Sequence, residues 1–210
     1  MKNIAITLRI EYLPTRNEWR DSIDQRLGLW ISMMGYKFIY VPNNIFPNSD
    51  SVDSNKLIEW IKNFNVGGFV LSGGNDVGEF SDRDKTESLI LDICSMDKLP
   101  VLGICRGMQI MGLWAGTSLV KVENHICNKH SLNHTTEDRN FPKNVNSFHN
   151  FSLLQCPEGF DITSLSNDRS IESIKHKTLP WEGWMWHPER ERKFLETDLI
   201  RAQKLLLDKG

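Results

Sequence analysis

The amino-acid sequence predicts an α/β fold of three layers, αβα, with a mostly parallel central sheet and antiparallel additions. Three observations carry that prediction. Short apolar runs alternate with helical patterns through the first half of the chain, four times over. Those runs are continuously apolar rather than alternating, as strands covered by helices on both faces are. After about Leu119 the pattern changes to polar stretches and isolated strand-like pieces, then closes on an amphipathic helix.

Ile4 to Leu8 reads as the first buried strand. Trp19, Ile23, Leu27, Trp30 and Met34 follow at steps of four, four, three and four, one face of a helix, and Gly35 can end it as a left-handed cap. Lys37 to Val41 is the second strand. Leu57, Ile58, Trp60, Ile61 and Phe64 mark the next helix, and Gly68 to Leu71 the third strand. A helix around Thr86 to Met96 turns Leu89, Ile90 and Ile93 inward. Pro100 to Ile104 is the fourth strand, with a helix directly after Cys105. Residues 123 to 143, rich in Asn, His and Lys, read as a long loop. Strand-like pieces follow at Asn146 to Leu154, Ile171 to Lys175 and Gly183 to Trp186, and Leu195, Leu199, Ala202 and Leu206 form the last helix.

The 210 residues are expected to form a single domain, 1–210, since no repeat, low-complexity tract or linker divides them. A formal net charge of -2 argues against a general nucleic-acid or membrane-surface binder. No apolar run is long enough to span a bilayer, and Met1-Lys2-Asn3 leads straight into a strand without a signal-peptide core. A cytoplasmic protein is therefore expected. Cys94, Cys105, Cys127 and Cys156 form no C-x-x-C pair and are expected to be reduced thiols.

Gly103-Ile104-Cys105-Arg106-Gly107 carries the most chemistry. A G-x-C-x-G between a strand and a helix is the cysteine form of a nucleophile elbow. The turn is sharp enough that side chains two before and two after the nucleophile must be nearly absent. The helix N-terminus beneath then favours the thiolate.

A cysteine nucleophile needs a base, and the base an orienting partner. Of six histidines, His187 alone follows a strand-like run, is followed by Pro188, and has a carboxylate, Glu189, two residues on. That spacing can return the carboxylate to the imidazole. The plainer alternative is a packed histidine beside a solvated glutamate. After the third strand, Ser72-Gly73-Gly74-Asn75-Asp76 offers unobstructed backbone N–H groups, although a Gly-Gly pair also serves as a simple turn. Donors from Gly74 and Arg106 are expected to converge on one oxygen.

Together, Ser72-Gly73-Gly74, Gly103-Ile104-Cys105-Arg106-Gly107-Met108-Gln109 and Trp186-His187-Pro188-Glu189 resemble the class I glutamine amidotransferase superfamily, whose fold is flavodoxin-like. The resemblance implies a Cys105–His187–Glu189 triad acting on the γ-carbonyl of a glutamyl group. It implies an oxyanion hole from Gly74 and Arg106, substrate contact by Gln109, and binding of the glutamyl α-groups along Asn146-Ser147-Phe148-His149. His149 reads equally well as a packing residue. Gly116-Thr117-Ser118-Leu119 followed by His125 resembles the γ-glutamyl hydrolase branch, more narrowly the γ-glutamyl-CDP-amidate hydrolases of capsular phosphoramidate biosynthesis. A small-molecule, nucleotide-linked γ-glutamyl substrate is then implied, with no cofactor and no obligatory protein partner. The rival reading is a glutaminase subunit that supplies ammonia to a separate synthetase.

No P-loop or G-x-G-x-x-G is present, so a nucleotide site would be assembled from loops. Arg9 and Arg16 follow the first strand on the sheet edge that carries the elbow, and Lys121, Lys129 and Lys143 flank or occupy the long loop. Arg9 is the first candidate for a diphosphate contact. His125, Cys127, His130 and His134 bring metal-ligand types within ten positions, but their spacing matches no standard zinc pattern, and no metal is expected. Trp181, Trp184 and Trp186 read as core and pocket wall, since no basic stripe accompanies them.

Overall fold

The computed structural model describes residues 2–43, 54–135 and 141–207. Its centre is an eight-stranded sheet. In chain order the elements of the chain are β1 (Asn3–Thr7), a hairpin of β2 (Arg9–Leu13) and β3 (Glu18–Ser22), α1 (Gln25–Met33), β4 (Phe38–Val41), α2 (Ser54–Asn63), β5 (Val66–Leu71), α3 (Ser81–Asp97), β6 (Val101–Ile104) and α4 (Arg106–Trp114). There follow β7 (Leu119–Lys121), β8 (Ile126–Ser131), β9 (Asn133–His134), β10 (Asn144–Phe148), β11 (Phe151–Leu153), β12 (Phe160–Leu165), β13 (Ile171–His176), β14 (Trp181–Trp184) and, after a 3₁₀ turn at Pro188–Arg190, α5 (Glu196–Leu207).

The sheet order is β4-β1-β5-β6-β14-β13-β12-β9. The first five strands are mutually parallel, and β13, β12 and β9 are added antiparallel. Period-two alternation sorts the apolar strands onto two faces. Ala5, Phe69, Leu71 and Val101 pack towards α2, α3 and α4 with Leu57, Ile90, Ile93 and Met108. Ile4, Ile6, Val70, Leu102 and Ile104 pack towards α1 and α5 with Leu27, Trp30, Ala202 and Leu205. This is the three-layer, mostly parallel arrangement the sequence predicts. Among the described residues no helix is long and apolar enough to cross a membrane.

The elements depart from the sequence reading in several places, β7 and β12 among them, which it did not anticipate. The helix expected from Trp19 starts only at Gln25, where the Asp24 carboxylate caps the Arg26 N–H at 2.9 Å. Trp19 lies instead on β3, whose hairpin places Arg9 in a strand and Arg16 in the turn. Gly35, with φ of 83°, does end that helix. Residues 126–131 of the expected long loop form β8, which pairs antiparallel with β10; residues 136–140 of that loop lie outside the described residues. The expected strand Asn146 to Leu154 is broken into β10 and β11, which join different partners. The strand before His187 ends at Trp184, two residues earlier than expected.

Parallel strands send their chain ends to one edge, and β4 and β5 leave β1 on opposite sides. That reversal opens a crevice at the C-terminal ends of β1 and β5. The hairpin closes over it, fastened by Asn75, whose side chain accepts from the Ile10 N–H at 2.8 Å and donates to the Ile10 carbonyl at 2.9 Å.

Candidate active site

Cys105 stands between β6 and α4 with φ 51° and ψ -105°, a strained backbone for a residue with a Cβ. The two flanking glycines make that turn possible. A Cβ on Gly103 would fall 2.6 Å from the backbone of Gly107, and one on Gly107 would fall 2.1 Å from the Leu71 carbonyl oxygen. Both contacts are with backbone, which cannot swing aside. The Cys105 N–H donates to the Trp184 carbonyl at 2.7 Å, so the elbow is stitched to β14. The thiol itself is 6% exposed.

Register explains how His187 arrives beside it. β14 lies parallel to β6 with Trp184 opposite Ile104, so both chains leave the sheet at the same edge. His187 is held by backbone and ring together. Asn146 accepts its N–H at 3.0 Å and donates to its carbonyl at 2.8 Å, a two-point clamp from β10. Nδ1 meets Glu189 Oε1 at 2.6 Å, and the Phe148 ring stands edge-on at 5.9 Å. Gly73 abuts the other side, where a Cβ would fall 2.4 Å from His187 Cε1. Burial resists charging this imidazole, but Glu189 and then the Cys105 sulfur outweigh it and raise its pKa to about 9. His187 therefore favours its imidazolium form beside the Cys105 sulfur.

The other predicted residues divide. Gly74 has φ of 119°, which disfavours any side chain, and a Cβ there would collide with Arg9. Arg106 opens α4, so its N–H is among those a helix leaves without an internal partner. The Gln109 amide donates to the Phe151 carbonyl at 2.9 Å. Asn146 and Phe148 face His187. Ser147 and His149 lie on the opposite side of β10: Ser147 donates to the His125 carbonyl at 2.7 Å, and His149 approaches His125. Their side chains are thus brought together with one another, away from the elbow. Arg9 lines the same cleft as Ser72, Gly73, His187 and Glu189, and is paired with Glu11 at 2.9 Å. Arg190 lines it too, its guanidinium 4.8 Å from the Phe148 ring centre. A cavity of about 460 Å³ opens on the other face of the hairpin, where Ile10 and Asp21 replace Arg9 and Ser22. Its carboxylates Asp21, Glu79 and Asp82 outnumber Arg20, a poor lining for a diphosphate.

One part of the site had no signal in the sequence reading. Arg83, Glu87 and Arg106 form a buried ion network under the crevice. Arg83 Nε lies 3.2 Å from Glu87 Oε1, and its Nη2 donates to the carbonyls of Ser72 at 2.7 Å and Gly73 at 3.1 Å. The Arg106 guanidinium pairs with both Glu87 and Asp84. Thr7 donates to Glu87 at 2.7 Å and accepts from the Ser72 N–H at 3.0 Å. Burial holds Arg83 down to about 10, and burial plus the neighbouring Arg83 hold Arg106 down to about 9. This network braces the Ser72–Gly74 turn and the elbow against each other. An Arg and a Glu four residues apart on a helix are commonly a solvated pair, so only their burial reveals the role.

The chain is similar to known proteins. The Campylobacter jejuni γ-glutamyl-CDP-amidate hydrolase is 39% identical over 139 residues, 63% of this chain and 66% of its own length. The glutamine-hydrolysing GMP synthase component of Methanocaldococcus jannaschii is 33% identical, over 73% of this chain and 78% of its own. A Thermotoga maritima glutamine amidotransferase of known structure superposes with a TM-score of 0.66 at 13% identity, covering 99% of this chain and all of that one, so the fold is shared. The profile of glutamine amidotransferase class-I matches residues 31–205, which contain the elbow and the His187-Pro188-Glu189 segment, and the chain belongs to that family.

Proposed function

We propose that this protein is a cysteine-dependent hydrolase that cleaves a γ-glutamyl amide through a γ-glutamyl thioester. The observation that carries the reading is the strained Cys105 beside a His187 whose Nδ1 meets Glu189 at 2.6 Å. In this mechanism His187 and the N-terminus of α4 favour the thiolate, which attacks the γ-carbonyl. The Gly74 and Arg106 N–H groups hold the developing oxyanion, an effect worth about 3 to 4 kcal/mol per donor. The His187 imidazolium gives its proton to the departing nitrogen, Glu189 steadying the charge. Water then attacks the thioester, returns its proton to His187, and releases L-glutamate and free Cys105. Gln109 and the backbone from Asn146 to His149 position the glutamyl group.

For the amine side we propose γ-glutamyl-CDP-amidate, giving cytidine diphosphoramidate. The 39% identity to the Campylobacter hydrolase supports this, as do Arg9 and Arg190 lining the cleft beside His187. The GMP synthase relative favours a second reading, a glutaminase that passes ammonia to a partner synthetase. Mass-spectrometric measurement of glutamate released from a panel of γ-glutamyl amides, with Cys105→Ala as control, separates the two. The isolated protein is expected to turn over the nucleotide-linked amide at least tenfold faster than glutamine, and Arg9→Ala to narrow that ratio. Turnover confined to glutamine and raised by a partner would favour the second reading. Glutamate release by folded Cys105→Ala at the wild-type rate would sink both.

A further inference from the structure

The structure assigns a second site to this chain: a closed divalent-metal site formed by His125, His130, His149 and Glu172, of the kind zinc occupies. Sequence spacing hides it, because only His125 and His130 lie close together along the chain. Pairing of β8 with β10 brings His149 to them, the His149 N–H donating to the His125 carbonyl at 3.1 Å, and β13 supplies Glu172. Cys127 is exposed, and His134 stacks on Phe141 with ring centres 5.0 Å apart, so neither joins the cluster.

The four donor atoms lie within 4.8 Å of one another. His125 Nδ1 is 3.2 Å from His149 Nε2, and Glu172 Oε1 is 3.3 Å from His130 Nε2, 3.5 Å from His125 Nδ1 and 3.6 Å from His149 Nε2. Nitrogen and oxygen ligands at about 2.0–2.1 Å from a tetrahedral ion are separated by about 3.3 Å. These four separations are close to those of a coordination shell.

Proton positions point the same way. His149 Nδ1 faces the Phe151 carbonyl at 3.1 Å, an acceptor only, so that nitrogen carries the hydrogen. His125 Nε2 faces Asp168 at 2.9 Å and carries its hydrogen likewise. His125 Nδ1 and His149 Nε2 are then the ring nitrogens that face each other at 3.2 Å, and a cation between them would take a lone pair from each. A carboxylate or a carbonyl on the far nitrogen is also the usual outer support of a metal-bound histidine. Glu172 is 0% exposed: its Oε1 meets the three imidazoles at 3.3 to 3.6 Å, and its Oε2 is buried without a hydrogen-bond partner. Three imidazoles and one carboxylate suit zinc rather than magnesium or calcium.

Four protein ligands leave no open position, so the ion would be structural. It would tie β8 and β13 to the end of β10, whose opposite face carries the Asn146 and Phe148 contacts to His187.

Metal analysis of protein purified without a metal-affinity tag, from zinc-supplemented medium, is expected to give about one zinc per chain. His130→Gln should lose most of that zinc, while His176→Gln, outside the cluster, should keep it. Chelator-treated wild type should regain thermal stability with zinc but not magnesium, and with cobalt(II) should show the visible absorption of a tetrahedral ion. The cobalt titration needs no variant, so poor folding of His130→Gln does not block the test. A histidine cluster balanced by protons alone predicts no metal uptake and no metal-dependent stability, and that result overturns the proposal. Zinc retained undiminished by folded His130→Gln overturns it equally.

Discussion

Replacing Gly73 with alanine tests the catalytic geometry with a single methyl group. The backbone at Gly73 lies outside the left-handed region, so alanine can adopt it. The three atoms nearest the added Cβ all belong to His187: Cε1 at 2.4 Å, Nε2 at 3.3 Å and Nδ1 at 3.4 Å. Carbon–carbon contact is comfortable at about 3.6 Å, so the ring must retreat by roughly 1.2 Å. It cannot do so freely, because Glu189 holds Nδ1 and Asn146 holds the His187 backbone. A displacement of about 1 Å at a reacting group costs about 100-fold in rate, or about 2.7 kcal/mol. The assay is glutamate release at saturating substrate, with a thermal melt to show that the fold persists. Gly73→Ala is expected to lose about 100-fold in kcat with little change in Tm. Activity within threefold of wild type would refute the placement of His187 as the proton carrier, and so would a loss that merely followed a collapse in Tm.

Three further outcomes follow from the electrostatics. In Glu189→Gln, the largest influence raising His187 is gone, so the alkaline limb of kcat/KM should move from about pH 9 towards the ordinary histidine range. The sign is that of a raised histidine: its ion pair is complete below pH about 6.5 and is lost as pH rises through about 9, and a limb that stays put contradicts the pairing. Glu87→Ala leaves Arg83 and Arg106 buried with Asp84 as the ion-pair partner that remains among the described residues, and urea unfolding should register a loss of about 3 kcal/mol; a loss under about 1 kcal/mol would show the network to be ornamental. Burial, reinforced by Glu191, raises the Asp198 carboxyl to about 7. The native state then keeps a proton that the unfolded chain releases near pH 4, so stability falls as pH rises from about 4 to about 7. Asp198→Asn should be more stable than wild type by about 2 to 4 kcal/mol at pH 8 and equal to it below pH 4, and equal stability at both would rule out a buried charge.

Local constraints were readable from the chain. The glycines at 103 and 107 announce a turn because only backbone can fill the space beside Leu71 and between the turn's own two arms. The H-x-E spacing brings an imidazole and a carboxylate together within one short turn, without help from distant residues. Trp19 and Ile23 misled for an equally local reason. A step of four fits a helical face and is also twice the strand repeat, so periodicity could not tell the hairpin from an extended α1.

What the sequence by itself determined is the βα rhythm, the tight turn at Cys105 and the pairing of His187 with Glu189, because each is set by residues within a few positions. Tertiary structure alone decided which sequence-distant groups share an interior. It put Arg83, Glu87 and Arg106 beneath the crevice, turned Asn146 onto His187, and gathered His125, His130, His149 and Glu172 around one point. Strand pairing brings such groups together across tens of residues, and burial then makes their charges costly enough to demand partners.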